Sequence, residues 1–263
     1  MDLAGGKLRR DEPAPHVVRL TIDNPAKRNA LDHDILDALA EVLPGLEARC
    51  LILAGAGRVF SAGYDIGALP QERFAEEAAA LIAHPFHAAV AALDAVPYPV
   101  VAALGGHAIG GGLELALSCD LRICSAEARL GMPPARLGLV YSHTGLRKFI
   151  DAIGAARTRE LFFTARNVTA EEALAWGLVG EVVAPRAVAA RAVELAAEIA
   201  ANAPLSLRGN KRVIGALLEA EARLDAATEA ELVALREACF RSEDFLEGVR
   251  AFGEKRPPRW RGR

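Results

Sequence analysis

The sequence predicts an α/β protein rich in helix, and three observations carry that expectation. Hydrophobic residues make up 52% of the chain but aromatic ones only 5%, with Ala, Leu and Val abundant. Short apolar runs alternate with helix-spaced stretches through the first half. From about Thr144 onward the pattern is almost entirely helical.

Val17 to Ile22 reads as a strand, broken at Asn24-Pro25. Asp32 to Leu43 has helical spacing, with Leu31, Ile35, Leu36 and Leu39 on one face and Asp32 as N-cap. Cys50 to Ala54 is a short buried strand, ended by Gly55-Ala56-Gly57. Phe60 to Gly67 is a loop of small residues, and Glu72 to Leu93 is helical with a disturbance at His84-Pro85. The apolar run Pro99 to Leu104 reads as a strand leading into the glycine cluster, and Leu121 to Cys124 as a further strand. Thr169-Ala170-Glu171-Glu172 is a capping-box start, with Gly177 as the C-cap. Pro185 to Asn202, Leu205 to Leu218 and Ala222 to Ser242 are three more helical stretches. Helices with no strands of their own need a partner surface, either the core or another subunit.

The chain of 263 residues is long enough for one large domain or a domain with an appendage. A net charge of −3 argues against a general nucleic-acid binder, although Lys255 to Arg263 carries five basic side chains. The four cysteines show no CxxC spacing, Asp2 to Pro15 has no signal-peptide core, and the most apolar stretch is broken by Asp94, Pro97 and Pro99. These features lead us to expect a soluble, cytoplasmic protein with free thiols.

Gly110-Gly111-Gly112-Leu113-Glu114 is the most informative stretch. Bare N–H groups at a helix N-terminus suit an anion. A carboxylate on the first turn would repel a permanent one. The pattern therefore suits a charge that exists only during a reaction, with Glu114 handling a proton. No G-x-G-x-x-G spacing and no following Gly-Lys-Ser/Thr is present, so neither a dinucleotide nor a P-loop site fits. Close helix–strand packing through glycines is the plain structural alternative. Ser61-Ala62-Gly63-Tyr64-Asp65 also follows a strand and could supply a second N–H to one carbonyl oxygen. Losing one such donor typically costs roughly 10²–10³ in kcat.

Phe60 to Ile66 and Gly105 to Glu114 resemble the two signatures of the crotonase (enoyl-CoA hydratase/isomerase) superfamily, and Asn24 to Leu31 resembles its N-terminal CoA motif. Order and spacing match across nearly the whole chain. The resemblance implies a crotonase fold, a spiral of ββα units over residues 1–200 holding the CoA and catalytic site. A helical trimerisation region would occupy 201–263. It implies an oxyanion hole for a thioester enolate, built by the N–H groups of Tyr64 and Gly111. Ala62, Gly63, Asp65 and Ile66 would line the adenine and pantetheine path, with Lys27 and Arg28 near the CoA phosphates. Lys255 would approach those phosphates, often from a neighbouring subunit, and Phe252 would pack near the adenine. Otherwise the tail reads as solvated. Coenzyme A is part of the substrate, so no separate cofactor is expected. The expected assembly is a homotrimer or dimer of trimers, with no nucleic acid, membrane or metal partner.

One departure matters. Typical hydratases of this family carry a second glutamate twenty residues after the first, and here that position is Pro134. Proline moves no proton. Glu127 is near in sequence but matches no catalytic position. Met132-Pro133 and Leu139-Val140-Tyr141-Ser142-His143 instead resemble the methylmalonyl-CoA decarboxylase branch, which has a tyrosine at the position of Tyr141 and keeps Glu114. Ser242 to Arg256 resembles that branch as well, but it carries a histidine where this chain has Tyr64. A packed aromatic is the plain alternative for Tyr141. His84 and His87 flank Pro85 with no acidic cluster, His16 and His33 read as surface, His107 as packed at a strand end, and His143 as a pocket-border candidate.

Loss of CO₂ from a malonyl thioester gives the enolate directly, with no base needed to create it. The expectation is therefore an acyl-CoA lyase that decarboxylates a malonyl-type thioester, with Tyr64, Gly111, Glu114 and Tyr141 as its catalytic group. The alternatives are an enoyl-CoA hydratase or isomerase running on Glu114 alone, and a non-catalytic CoA-binding or RNA-binding relative. The intact glycine cluster argues against lost catalysis, and the lack of a long basic helix against RNA.

Overall fold

The computed structural model of the chain describes residues 2–65, 85–221 and 223–263. Its strands fall into two sheets. The larger runs β1 (Asp2–Leu3), β2 (Leu8–Ala14), β3 (Val17–Ile22), β4 (Cys50–Gly55), β6 (Val100–Leu104), β8 (Leu121–Ser125) and β11 (Glu181–Val183) in spatial order. The smaller runs β10 (Asn167–Thr169), β9 (Arg129–Gly131), β7 (His107–Ile109) and β5 (Val59–Ser61). From β3 onward the larger sheet is parallel. So are β5, β7 and β9 in the smaller.

The order explains the spiral. β4, β6 and β8 each pass through a tight turn into a short strand of the small sheet, then leave for the next unit. Successive turns stack closely: a Cβ on Gly106 would stand 1.7 Å from the Arg58 carbonyl oxygen of the preceding turn. Only glycine permits that approach. The buried runs of β4 and β6 lie between two layers. On one side pack α1 (His33–Val42), through Ile35, Leu36 and Leu39, and α2 (His87–Asp94). On the other packs α6 (Val188–Ala200), whose Ala192, Ala196 and Ala200 recur every fourth residue and let it approach Ile52, Val101 and Ile123.

Several local expectations hold. Asp32 accepts the Ile35 N–H at 3.0 Å. The Thr169–Glu172 capping box opens α5 (Ala170–Trp176), and Gly177 closes it at φ 81. Burial pushes the thiols of Cys50, Cys119 and Cys124 up to about 12, and all four cysteines are free. No helix among the described residues is long and apolar enough to cross a membrane.

The structure differs elsewhere. The region after Thr144 is not helix alone: β10 and β11 interrupt it, and β11 pairs with β8 at the edge of the large sheet. The charged segment before Pro15 is a strand, β2, tolerated because it lies beside the sheet edge, where Arg19 can pair with Asp11 across to β3. The strand entering the glycine cluster is β7, not the Pro99–Leu104 run, which turns first at Gly105-Gly106. The long helix α4 (His143–Thr164) breaks its geometry at Gly154, φ 72. The expected helix from Ala222 begins at Ala226, capped by Asp225. The 72–84 part of the helix expected over 72–93 lies outside the described residues.

Three helices complete the chain: α7 (Pro204–Glu221), α8 (Ala226–Phe240) and α9 (Glu243–Gly253). α7 buries none of its residues within one chain and leaves Leu205, Val213, Ile214 and Leu217 exposed, although Lys211 ties it to Asp120 at 2.7 Å. The basic tail is not loose. Arg256 forks onto Glu247 at 2.6 and 3.0 Å, and Arg261 N donates to Asp244 at 2.6 Å, folding the tail back along α9.

Candidate active site

β5 and β7 are parallel neighbours in the small sheet, in register at Ser61 and Ala108. The loops that follow them therefore leave side by side. Gly63, at φ 90, is where they touch: a Cβ there would fall 2.8 Å from the Ile109 carbonyl oxygen and 3.4 Å from Gly111 N. Gly110 turns the chain into α3 (Gly111–Leu117) at φ 56, ψ −128, a conformation open to glycine and little else. Its own N–H is spent on Gly131, and it accepts from Leu113 and Glu114. Among the described residues the N–H groups of Tyr64 and Gly111 donate to no backbone acceptor. Gly111 is an orphan donor by its place at the helix start.

The first loop is stitched to the chain before α1. Leu31 N donates to Gly63 O at 2.8 Å, Asp65 N to Leu31 O at 3.0 Å, and Ala62 N to Arg28 O at 3.1 Å. Asn29 anchors that stitch. Its buried amide donates to Ala56 O at 2.9 Å and Val59 O at 2.6 Å and accepts from Asn24 N at 2.9 Å. In the sequence Asn29 stands out only as one member of the Asn24–Leu31 motif. A polar residue inside a turn-forming run was the one signal of its role.

Glu114 sits on the first turn of α3, 4% exposed. Tyr141 donates its hydroxyl proton to Glu114 Oε2. The Tyr64 hydroxyl lies against that of Tyr141. The two rings are held edge-on by Phe86 and Phe162, at 4.9 and 5.6 Å between centroids. Burial raises the Glu114 pKa, opposed by the Tyr141 bond and then by the charges of Lys148 and Arg236. Burial and the Glu114 charge hold both phenols well above their ordinary value. The Glu114 Oε1 faces Gly145, where a Cβ would stand 2.8 Å away. A side chain at that point of α4 would crowd both the carboxylate and the Tyr141 ring.

Tyr64, Gly111, Glu114 and Tyr141 thus converge. Ala62, Gly63 and Asp65 share the first loop, and Arg28 lies on the chain stitched to it. Lys27 and Asp65, both expected along a CoA path, bond each other at 2.5 Å. Ile66 lies outside the described residues. Phe252 and Lys255 are exposed on and just after α9, and within one chain neither bonds to the converging group. His143 turns towards Glu229 of α8, 3.8 Å away, rather than towards Glu114. Glu127 is exposed on the β8–β9 turn. Pro134 is buried at the start of a 3-10 turn, and the neighbouring Pro133 ring would contact a Cβ on Gly110 at 3.9 Å. The Pro133 ring therefore flanks the glycine turn. Arg236, whose charge reaches both Glu114 and Tyr64, was not singled out from the sequence.

Comparison with known proteins fits this geometry. The family model described as enoyl-CoA hydratase/isomerase matches residues 13–263. The chain is 36% identical over 245 residues to a short-chain-enoyl-CoA hydratase of Clostridium acetobutylicum, covering 91% of this chain and 92% of that one. It is 34% identical over 268 residues to a carnitinyl-CoA dehydratase of Salmonella arizonae, covering 97% and 98%. Among solved structures, a methylmalonyl-CoA decarboxylase in complex with 2-nitronate-propionyl-CoA superposes with a TM-score of 0.88 at 29% identity, covering 98% of this chain and 99% of that one. Family match, identity and fold agree: the chain belongs to the enoyl-CoA hydratase/isomerase family, the crotonase superfamily of enzymes acting on acyl-CoA thioesters.

Proposed function

We propose that the protein decarboxylates a malonyl-type acyl-CoA thioester, such as methylmalonyl-CoA. The observation that carries this reading is the Tyr141–Glu114 phenol–carboxylate bond, with the Tyr64 hydroxyl beside it, in a chain that has Pro134 at the sequence position where hydratases carry a second glutamate. Adding water across a double bond asks for one group to activate water and another to protonate carbon. Decarboxylation asks for less. The C–C bond to the carboxylate breaks, its electron pair flows into the thioester, and the N–H groups of Tyr64 and Gly111 receive the enolate oxygen. The enolate carbon then takes a proton from Tyr141, replaced through Glu114, whose raised pKa suits it to hold one. The products are CO₂ and the shortened acyl-CoA, with one proton drawn from solvent.

Lys27 and Arg28 would meet the CoA phosphates. The Lys27–Asp65 pair shows that Lys27 carries its own counter-charge before substrate arrives. Lys255 and Phe252 would reach CoA from a neighbouring copy. The bare apolar face of α7 suits a homotrimer or dimer of trimers, which would cover it.

The second reading, an enoyl-CoA hydratase or isomerase acting through Glu114 alone, is favoured by the hydratase and dehydratase relatives. The test is incubation of the purified protein with methylmalonyl-CoA and, separately, crotonyl-CoA. We expect CO₂ and propionyl-CoA from the first, and roughly 10-fold or greater loss of that turnover in Tyr141→Phe, whose missing donor leaves the carboxylate without its bond. Hydration of crotonyl-CoA at ordinary enzyme rates with no CO₂ release would overturn the proposal.

A further inference from the structure

α8 lies along the segment that carries Tyr141. Near its start Glu229 stands 3.8 Å from His143, and near its end Cys239 Sγ donates to the Gly138 carbonyl at 2.8 Å. Arg236 lies two turns after Glu229 on the same face, between these contacts. Its Nε is shut off from water and has no hydrogen-bond partner among the described residues. The guanidinium rests over the Phe240 ring, 5.6 Å from its centre. Glu114 forms no hydrogen bond or ion pair with it, and its Oε2 accepts from Tyr141. Lys148, the other cation whose charge reaches Glu114, is already paired with Asp94 at 2.7 Å. Arg236 is thus a half-buried guanidinium on the helix that covers the Tyr141 segment, with its Nε shut off from water and no acidic partner among the described residues. Natural structures seldom leave such a donor unmet.

We infer that Arg236 is a specificity residue that receives the free carboxylate of a dicarboxylyl-CoA substrate and so selects malonyl-type chains over neutral ones. This rests on the decarboxylase reading for its substrate class. A guanidinium matches a carboxylate in charge and in its paired donors, and a neutral acyl chain offers it nothing. The contact is strongest before reaction. As CO₂ forms, the negative charge leaves the carboxylate for the thioester oxygen, so Arg236 contributes to substrate binding more than to the chemical step.

The test measures binding of two unreactive CoA thioethers, one with a carboxyalkyl chain and one with the corresponding alkyl chain, to the assembled wild-type protein, Arg236→Gln and Arg236→Lys. We expect Arg236→Gln to weaken the charged thioether about 30-fold or more and the neutral one by less than about 3-fold. Arg236→Lys keeps the charge, so it should retain part of the preference even where the Gln variant folds poorly. With methylmalonyl-CoA the loss should fall on KM. Equal weakening of both thioethers, or of neither, would overturn the inference. If wild type releases no CO₂ yet prefers the charged thioether through Arg236, the decarboxylase reading falls and this one stands. If wild type releases CO₂ and Arg236→Gln leaves KM unchanged, the reverse holds.

Discussion

The candidate site has two halves that are built differently. One is backbone: Gly63 and Gly110-Gly111-Gly112, set side by side by the pairing of β5 with β7. The other is side chain: Tyr64, Glu114, Tyr141 and Arg236, gathered from a loop, α3, the segment before α4, and α8. The first half is inseparable from the fold, since the same close approaches that align its N–H groups also hold the sheets together. The second is carried on the fold and could be exchanged without moving a strand. Relatives with different named reactions on one fold are what such a division allows.

Glu114→Gln should cause the largest effect and sharpen that division. Turnover on the substrate proposed above should fall roughly 10²–10⁴-fold, the worth of a proton-transfer group. Stability should move the other way. Burial raises the native Glu114 pKa above its ordinary 4.5. Between those two values the native state holds a proton that the unfolded chain has lost, so its stabilising contribution is full below 4.5 and fades as pH rises through the native value. Glutamine escapes that penalty while still accepting the Tyr141 proton. Thermal melts should therefore show the variant gaining on wild type as pH rises from 4 to 8. A gain that shrinks over that range would place the ionised carboxylate among the stabilising groups and erase the contrast.

Gly63→Ala attacks the other half and should cost both properties. The methyl meets the Ile109 carbonyl at 2.8 Å and forces φ 90 on an L-residue, a strain of about 1–3 kcal/mol. Any relief spreads the two loops, so kcat should drop about 10²–10³-fold, as for a lost oxyanion donor. Parallel melts and turnover measurements check this. A variant with wild-type stability and 100-fold lower turnover would show that the backbone half is also separable from the fold.

The same division decides what could be read in the sequence. Runs such as Val17–Ile22 and Cys50–Ala54 are contiguous and mostly buried, so their pattern is local. The glycine cluster and the Gly63 loop are contiguous too, and their residues meet in the structure. β10 and β11 are three residues each, too short to show a period. The sequence offered Tyr64 only as an expected N–H donor, and the place of its hydroxyl beside Tyr141 depends on how two distant segments pack. Lys27 and Asp65 were each expected along one CoA path, yet nothing in their spacing says that they pair with each other. Arg236 is one charge among many on a polar helix. Its placement follows from α8 lying over Gly138–His143, which no local pattern encodes.

The smallest expected effect concerns that α8 contact. Cys50, Cys119 and Cys124 are buried, with thiols pushed up to about 12, whereas Cys239 is partly exposed and donates to the Gly138 carbonyl. Native protein treated with a maleimide near pH 8 should take up label at Cys239 alone, and slowly, because burial raises its thiol pKa also. Denatured protein should label at all four thiols. Cys239→Ser keeps a donor to Gly138, so stability should change by no more than about 1 kcal/mol. Maleimide bulk would instead lift α8 from the chain that leads to Tyr141 while leaving the glycine loops untouched. Labelled protein should then bind CoA as before and lose turnover several-fold. If labelling weakened CoA binding and turnover together, the side-chain half would be shown to support the backbone half, and the two could no longer be treated as independent.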